Sequence, residues 1–479
     1  MYTNSPPHIG FAFESVQADV IARYHQLLGE DTFFLTGTDE HGTKVAKAAK
    51  EVGKNPKEFA DEIAEKVKEL KEVLNLSNDD FIRTTDQKRH WPAVKKVWLK
   101  LKETGNIYKK KYQAFYCSGC EAFITRKDLV DGKCVIHQVE PEIVDEENYF
   151  FKLSKYSKII EKLIEKDELK IIPETRKNEI LSFIRQGLED VSFSRPREKL
   201  SWGIPVPDDE TQTLYVWADA LTNYISAIGY FEETEQFKKF WPADVHCIGK
   251  DITRFHAVIW PGMLLSLGLP LPKTIFVHGF ITVGGQKMSK SLGNVIDPFE
   301  LVEKYGSTSS PQAGTDAVRY FLLREIPPTE DGDFTFEKFK KRYNSDLAAG
   351  IGNLVARVIT LAKIPKSKFQ ISKQIPNSKF QTIIDETWEN YHGALEKFKF
   401  NEALISIWDL ISFCDTYIEK ERPWEKSEKQ KSTIPNLQFA ISNIAEMLKP
   451  FLPETSEKIL RQIKVKKPEI LFPRMTQRD

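Results

Sequence analysis

The sequence contains no apolar run near the ~20 residues needed to cross a bilayer as a helix. Its opening residues carry no basic segment followed by an apolar one and no Arg-rich amphipathic helix, so no leader is read there. Both absences point to a cytoplasmic protein without a membrane partner. Net charge is missing too. Lys plus Arg and Asp plus Glu are 69 each, so any affinity for nucleic acid must come from local patches. Such patches occur at Lys95-Lys96, Lys109-Lys110-Lys111, Lys338 with Lys340-Lys341-Arg342, and Lys464 with Lys466-Lys467, and each taken alone reads as a solvated helix face. Cysteine is sparse: five residues, an odd number, three of them close together, which argues for a metal site in a reducing compartment rather than a disulfide framework. What is present is a chain of 479 residues, 41% hydrophobic and 29% charged, enough for about three domains with ample core.

The stretch that most needs a chemical explanation runs from Gly284 to Asn294, GGQKMSKSLGN. Glycines at 284, 285 and 293 permit close approach of the backbone, and Lys287 and Lys290 supply two ammoniums that can reach phosphate oxygens. A solvated hairpin tip is the plain alternative. At the other end of the chain, Pro6-Pro7-His8-Ile9-Gly10-Phe11 leads into helical spacing of Val16, Val20, Tyr24 and Leu27 or Leu28. His8 and Gly10 therefore sit at a helix N-terminus, where anions bind.

A second chemical signal is Cys117-x2-Cys120, thirteen residues, then Cys134-x2-His137. Two tight turns, each offering two ligands, give zinc a closed tetrahedral set. With no position left open, the metal is structural and not a Lewis acid.

The two glycine-bounded segments, together with Thr36-Gly37-Thr38-Asp39-Glu40-His41-Gly42 and Val277-His278-Gly279, resemble the signatures of class I aminoacyl-tRNA synthetases. Along almost its whole length the chain resembles the bacterial-type methionyl members of that family. The resemblance implies an α/β Rossmann-like catalytic domain with an inserted zinc-knuckle connective peptide, followed by an all-α anticodon-binding helical bundle. The implied boundaries are catalytic halves at 1–107 and 174–305, a connective peptide at 108–173, a stem-contact connector at 306–345 and the bundle at 346–479. The implied activity is ATP-dependent activation of L-methionine to methionyl-adenylate and transfer to the 3′ end of tRNA(Met), initiator included. ATP is a substrate, with Mg²⁺ beside it and Zn²⁺ in the knuckle, and the protein is expected to be a monomer.

The resemblance also assigns residues. His8, Gly10, Lys287 and Lys290 are catalytic, and His278, Gly279, Met288 and Ser289 join them around ATP. Tyr2, Asp39, Trp217, Ala220, Leu221, Tyr224, Ile252 and His256 hold methionine, while Asn353, Arg357 and Trp424 contact the anticodon. On local sequence alone, Asp39 also suits a helix N-cap, Asn353 with Arg357 a solvated i,i+4 pair, and the tryptophans ordinary packing. An insertion of about sixty-five residues leaves no room for the editing domain that enzymes for valine, isoleucine and leucine need. A cysteine enzyme would hold its zinc in the active site instead.

The chain departs from the family pattern twice. It begins at Met1-Tyr2-Thr3-Asn4, too late to supply the family's first parallel strand, and Phe11 stands where the second signature histidine is expected. Both keep open a weakened or truncated relative that binds tRNA without efficient adenylation. Strands are expected at 32–36, 245–249 and 274–279, residues 214–220 read as a strand entering a helix, and helices are expected at 316–325, 336–341, 351–361, 402–419, 436–448 and 453–463.

Overall fold

The computed structural model describes residues 1–119, 122–124, 129–135, 138–288, 292–306, 312–362, 378–425 and 427–475. The chain divides into two compact units, one of residues 1–7, 33–69 and 78–278, the other of residues 8–32, 70–77 and 279–479.

The first unit is built on parallel strands. Leu35–Thr38 pairs in parallel with Asp80–Arg83, and Thr274–His278 lies between Val245–Gly249 and Lys170–Ile172, all parallel. Ile275, Phe276 and Val277 are fully buried, the continuous apolar run expected of a strand covered on both faces. Gly37 is required within its strand, because a Cβ there would stand 2.2 Å from the Ile82 carbonyl oxygen. The chain start adds a short parallel pairing along the same strand. Thr3 N–H donates to Asp39 O at 3.0 Å and Asp39 N–H to Met1 O at 2.8 Å.

The expected strand at 32–36 is displaced toward the C-terminus. Phe34 N–H donates to the Asp79 carboxylate at 2.7 Å rather than to a ladder, and regular pairing begins only at Leu35. The passage from strand to helix expected at 214–220 is present, with the strand lying earlier than expected. That strand is Asp209–Leu214, the centre of a separate antiparallel sheet with Ser194–Pro196 and Pro205–Val206, and Val216 already opens a short helix. The insertion forms an antiparallel sheet in the order Ala122–Ile124, Ile107–Cys117, Glu142–Phe151, Val191–Ser192.

In the second unit, helix Ile9–Leu27 buries Ile9, Phe13, Val16, Val20 and Tyr24 on one face, as the spacing predicts. A three-stranded sheet places Ile281–Val283 between Gln286–Lys287 and Gly332–Phe334. The remainder is helical: Gln312–Arg324, Phe336–Arg342, Asn353–Leu361, Ser378–Leu395, Phe400–Glu421, Ser427–Leu448 and Pro453–Val465. Tyr343–Gly352 is a π-helical stretch joining two of these without a break. Helix Ser378–Leu395 has no counterpart in the sequence expectation, and helix Ser427–Leu448 runs through Pro435 where a start at 436 was expected.

Candidate active site

In the first unit, the end of strand Leu35–Thr38 delivers Asp39. The residue after it is anchored: the fully buried Glu40 carboxylate accepts from Thr38 Oγ1 at 2.6 Å, from Arg83 Nε and Nη2 at 2.6 and 2.8 Å, and from Thr85 Oγ1 at 2.5 Å. Arg83 also reaches Asp61 at 2.5 Å. A buried charge with this many charge-assisted donors fixes the loop backbone, so Asp39 is presented in one position. Burial pushes the Asp39 carboxyl above its ordinary range, and the charge of Asp219 adds to the effect. Such a group is poised to gain from a cation.

An aromatic wall belongs to the same unit. Trp217 stacks on Phe255 with ring centroids 3.9 Å apart, and Tyr224 stacks on His246 at 4.0 Å. Tyr224 Oη lies 2.8 Å from His256 Nε2, whose other ring nitrogen lies 3.0 Å from Ile252 O. His256 therefore donates through Nδ1 to the carbonyl and accepts from the phenol at Nε2. His246 accepts from Trp260 Nε1 at 3.2 Å, and burial beside His256 pulls its pKa down to about 3, so it stays neutral. Ala220 and Leu221 are buried, and Tyr2 donates its hydroxyl to His41 O at 2.9 Å. Trp217, Ile252 and Phe255 also line a cavity of about 440 Å³. A polarisable aromatic lining of this kind suits a thioether. Sequence reasoning missed Glu40, His246 and Phe255. Glu40 was visible only as a carboxylate beside Asp39, and Phe255 only as the neighbour of His256.

In the second unit, His8 Nδ1 accepts from Gly10 N–H at 3.0 Å and so caps helix Ile9–Leu27. Burial lowers the His8 pKa, and the accepting role of Nδ1 puts the remaining proton on Nε2. The residue is thus a neutral imidazole with one N–H to donate. A Cβ on Gly10 would meet that ring at 2.8 Å, which explains the glycine. Phe11 stacks on His8 at 4.5 Å, so the unexpected aromatic supports the ring while offering no donor of its own. Ile9 N–H donates to Ile296 O at 2.9 Å, which ties the helix start to the segment just beyond the lysine loop.

That loop leaves a hairpin whose turn residues, Gly284 and Gly285, have φ of 59° and 76°, values that favour glycine at both positions. Asp333 Oδ1 accepts from Gly285 N–H at 2.7 Å and from Thr282 Oγ1 at 2.8 Å. Lys287 is exposed, with its ammonium 5.9 Å from the Phe280 ring centre, and Asn294 Nδ2 donates to Lys287 O at 3.2 Å. Met288 is half-buried, and its methyl lies 3.8 Å from where a Cβ of Gly10 would be. Ser289 and Lys290 lie outside the described residues. Gly279 admits no side chain, since a Cβ would fall 2.2 Å from the Glu330 carbonyl. His278, which ends its parallel strand in the first unit, is buried.

Cys117 and Cys134 are both buried in one small apolar cluster with Ile124, so the two halves of the cysteine motif are brought together as a knuckle requires. Cys120 and His137 lie outside the described residues, among which no group of three potential ligands occurs. In the bundle, Asn353 is exposed on the helix that carries Arg357. Arg357 is held by Asp415 at 3.3 Å and Glu419 at 2.5 Å, both on helix Phe400–Glu421. Trp424 is 49% exposed just beyond that helix.

The chain matches the family described as tRNA synthetases class I (M) over residues 1–127 and 120–359, and an anticodon-binding domain of tRNA ligase over residues 377–477. The chain belongs to the methionyl class I tRNA synthetases. It is 43% identical to the methionine-tRNA ligase of Thermotoga maritima over 479 residues, covering 96% of this chain and 74% of that protein. The methionine-tRNA ligase of Clostridium perfringens is 45% identical, with 97% and 72% covered. Among solved structures, Mycobacterium tuberculosis methionyl-tRNA synthetase in complex with methionyl-adenylate superposes with a TM-score of 0.89 at 36% identity, covering 99% of this chain and 97% of that one. As a member of this family the synthetase is a ligase, with a class I catalytic domain followed by a helical anticodon-binding domain. These matches favour the ligase over a weakened tRNA-binding relative.

Proposed function

We propose that the synthetase joins L-methionine to ATP to give methionyl-adenylate and pyrophosphate, then passes the methionyl group to the terminal adenosine of tRNA(Met), the initiator species included. The observation that carries the reading is the presentation of Asp39 in the same unit as the aromatic wall of Trp217, Tyr224 and His256. Asp39 binds the α-ammonium, and the wall with Tyr2, Ala220, Leu221 and Ile252 takes the thioether.

No side chain attacks the substrate. The methionine carboxylate displaces pyrophosphate at the α-phosphorus, a step that needs alignment and charge stabilisation more than covalent help. His8 donates Nε2–H to a phosphate oxygen, and the backbone N–H groups at the helix start by Gly10 add theirs. Lys287 and Lys290 neutralise the β/γ side as pyrophosphate forms, with Met288 and Ser289 carrying that loop and His278 and Gly279 bordering the nucleotide. A magnesium ion bound to the nucleotide shares the triphosphate charge. Cys117, Cys120, Cys134 and His137 hold a structural zinc, which supplies a covalent-strength crosslink to an insertion with a small core of its own. Asn353, Arg357 and Trp424 contact unpaired anticodon bases by edge and stacking. The domain division at 107, 173, 305 and 345 goes with this reading, as do a monomeric state and a cytoplasmic location.

The test is methionine-dependent ATP–pyrophosphate exchange. Exchange with methionine, and not with cysteine or leucine, supports the proposal. Silence from folded, zinc-loaded protein overturns it. Phe11→His restores one donor near the α-phosphate and is expected to raise the rate by up to about 10²-fold.

A further inference from the structure

We infer that Asp219, flanked by His41 and His90, is a positioning unit for the amino-acid site: it sets the loop that bears Asp39 and supplies a second fixed negative charge where the α-ammonium binds. The inference rests on Asp39 as the partner of that ammonium.

Asp219 lies in an otherwise apolar segment and is 1% exposed. Its Oδ2 is 2.7 Å from His41 Nδ1 and its Oδ1 is 2.7 Å from His90 Nε2, while the other nitrogen of His90 is 2.8 Å from Ser226 Oγ. His41 and His90 are 3% and 0% exposed. Asp219, Asn223 and Ser226 recur at i, i+4 and i+7 along two short consecutive helices, Val216–Ala220 and Asn223–Ser226, so they share one face. From that face Asn223 Nδ2 donates to Asp39 Oδ1 at 3.2 Å. One helical stripe thereby holds two separate pieces of chain: the loop that bears Asp39 and His41, and the start of helix His90–Glu103.

The loop is clamped at both residues that follow Asp39. Glu40 is locked by Arg83, Thr38 and Thr85, and its carbonyl accepts from Trp202 Nε1 at 2.6 Å. His41, two residues past Asp39, is locked by Asp219 and packs its ring against Trp91 and Trp202. Both imidazoles contact Asp219, and the other ring nitrogen of His90 contacts Ser226 Oγ, so one buried carboxylate ties the two histidines together.

The electrostatics give the arrangement a purpose beyond packing. Burial opposes ionisation of Asp219, yet the two histidines outweigh it and hold the carboxyl below the usual range. The charge so fixed raises Asp39 in turn. Burial, Asp219 and Glu40 together raise Asp39 against the opposing pull of the Met1 ammonium and His90, and a protonated α-amine adds a cation that favours the carboxylate. A His-Asp-His staple that only held the core together would not need to be linked to Asp39 through Asn223.

The test measures KM for methionine and for ATP separately, in pyrophosphate exchange, for Asp39→Asn, Asp219→Asn, His90→Leu and His90→Gln. Asp219→Asn and His90→Leu are expected to raise the methionine KM about tenfold or more with the ATP KM within about twofold. His90→Gln keeps an N–H for Asp219 and is expected to recover most of the loss. If Asp219→Asn does not fold, the Leu and Gln variants at position 90 decide the matter. Methionine KM values near wild type for the position-90 and position-219 variants, or equal losses for both substrates, overturn the inference while a raised KM in Asp39→Asn leaves the ammonium reading standing. An unchanged methionine KM in Asp39→Asn overturns the ammonium reading and this inference with it.

Discussion

Glu454→Gln should stabilise the second unit at alkaline pH and not at acidic pH. Glu454 opens helix Pro453–Val465, where its Oε1 accepts from Asn75 Nδ2 at 3.2 Å and its Oε2 is buried without a hydrogen-bond partner. Asp316, 1% exposed, accepts from Thr455 N–H at 2.7 Å through Oδ2 and leaves Oδ1 unpartnered as well. Burial, then repulsion from Asp316, push Glu454 from an ordinary 4.5 up to about 7. The folded value lies above the unfolded one, so the native state keeps a proton that the unfolded chain has lost. The penalty is absent below about 4.5, grows as pH rises and is complete above about 7. At ~1.4 kcal/mol per pH unit the ceiling is about 3 kcal/mol, and partial exposure of Glu454 reduces it to about 1–2 kcal/mol. The amide carries no charge and offers an N–H to the neighbouring carboxylate. In urea unfolding followed by circular dichroism, the variant's midpoint should rise by roughly 0.5 M at pH 8 and little at pH 5. A variant no more stable than wild type at pH 8, or equally stabilised at both pH values, would refute the reasoning.

Three further outcomes are expected. Gly37→Ala forces a Cβ to within 2.2 Å of the Ile82 carbonyl and should cost at least about 3 kcal/mol, read as a lowered thermal midpoint, with a raised methionine KM in whatever folds. His8→Asn keeps a good helix cap but removes the imidazole N–H, so the melting curve should stay put while pyrophosphate exchange falls about 10²–10³-fold in kcat. Arg319, fully buried, donates to Leu74, Pro450 and Phe451 carbonyls at 2.8–2.9 Å and pairs with Asp19 at 2.7 Å. Arg319→Met should cost about 3–5 kcal/mol in denaturant unfolding, because three carbonyls and a carboxylate lose a donor together.

Periodicity carried the helices well and strand ends poorly. Val16, Val20 and Tyr24 mark a face that the structure buries. Phe33-Phe34 looks more like a strand than Leu35–Thr38 does, yet pairing follows the partner Asp80–Arg83, whose register no local window contains. The chain start was read as too late to supply the family's first parallel strand, and Tyr2 makes a single parallel bridge to Asp39 just past strand Leu35–Thr38. The local placement of residues in contiguous motifs was legible: His8 and Gly10 sit at a helix start, Asp39 just past a strand and Lys287 at a hairpin. The residues that hold them were not. His41 and Asp219 are 178 positions apart, His90 and Asp219 are 129 apart, and nothing in either neighbourhood announces the other. Helix Ser378–Leu395 lies in the stretch between the helices expected at 351–361 and 402–419, where no helix was expected.

The hairpin that carries Lys287 shares its sheet with Gly332–Phe334, and Asp333 of that strand pins the hairpin turn. Two residues later the chain enters helix Phe336–Arg342, which passes through Tyr343–Gly352 into Asn353–Leu361. At ~1.5 Å per residue this is a rod of roughly 40 Å. One end is anchored beside Lys287, and the last helix of the rod bears Asn353 and Arg357. The rod works as a ruler whose length is set covalently, and as a shaft whose rotation is fixed by residue count. Inserting one residue in the π-helical stretch would turn the far end by about 100° and lengthen it by only ~1.5 Å. Such an insertion would reorient Asn353 and Arg357 relative to the hairpin of Lys287 without changing a residue of either.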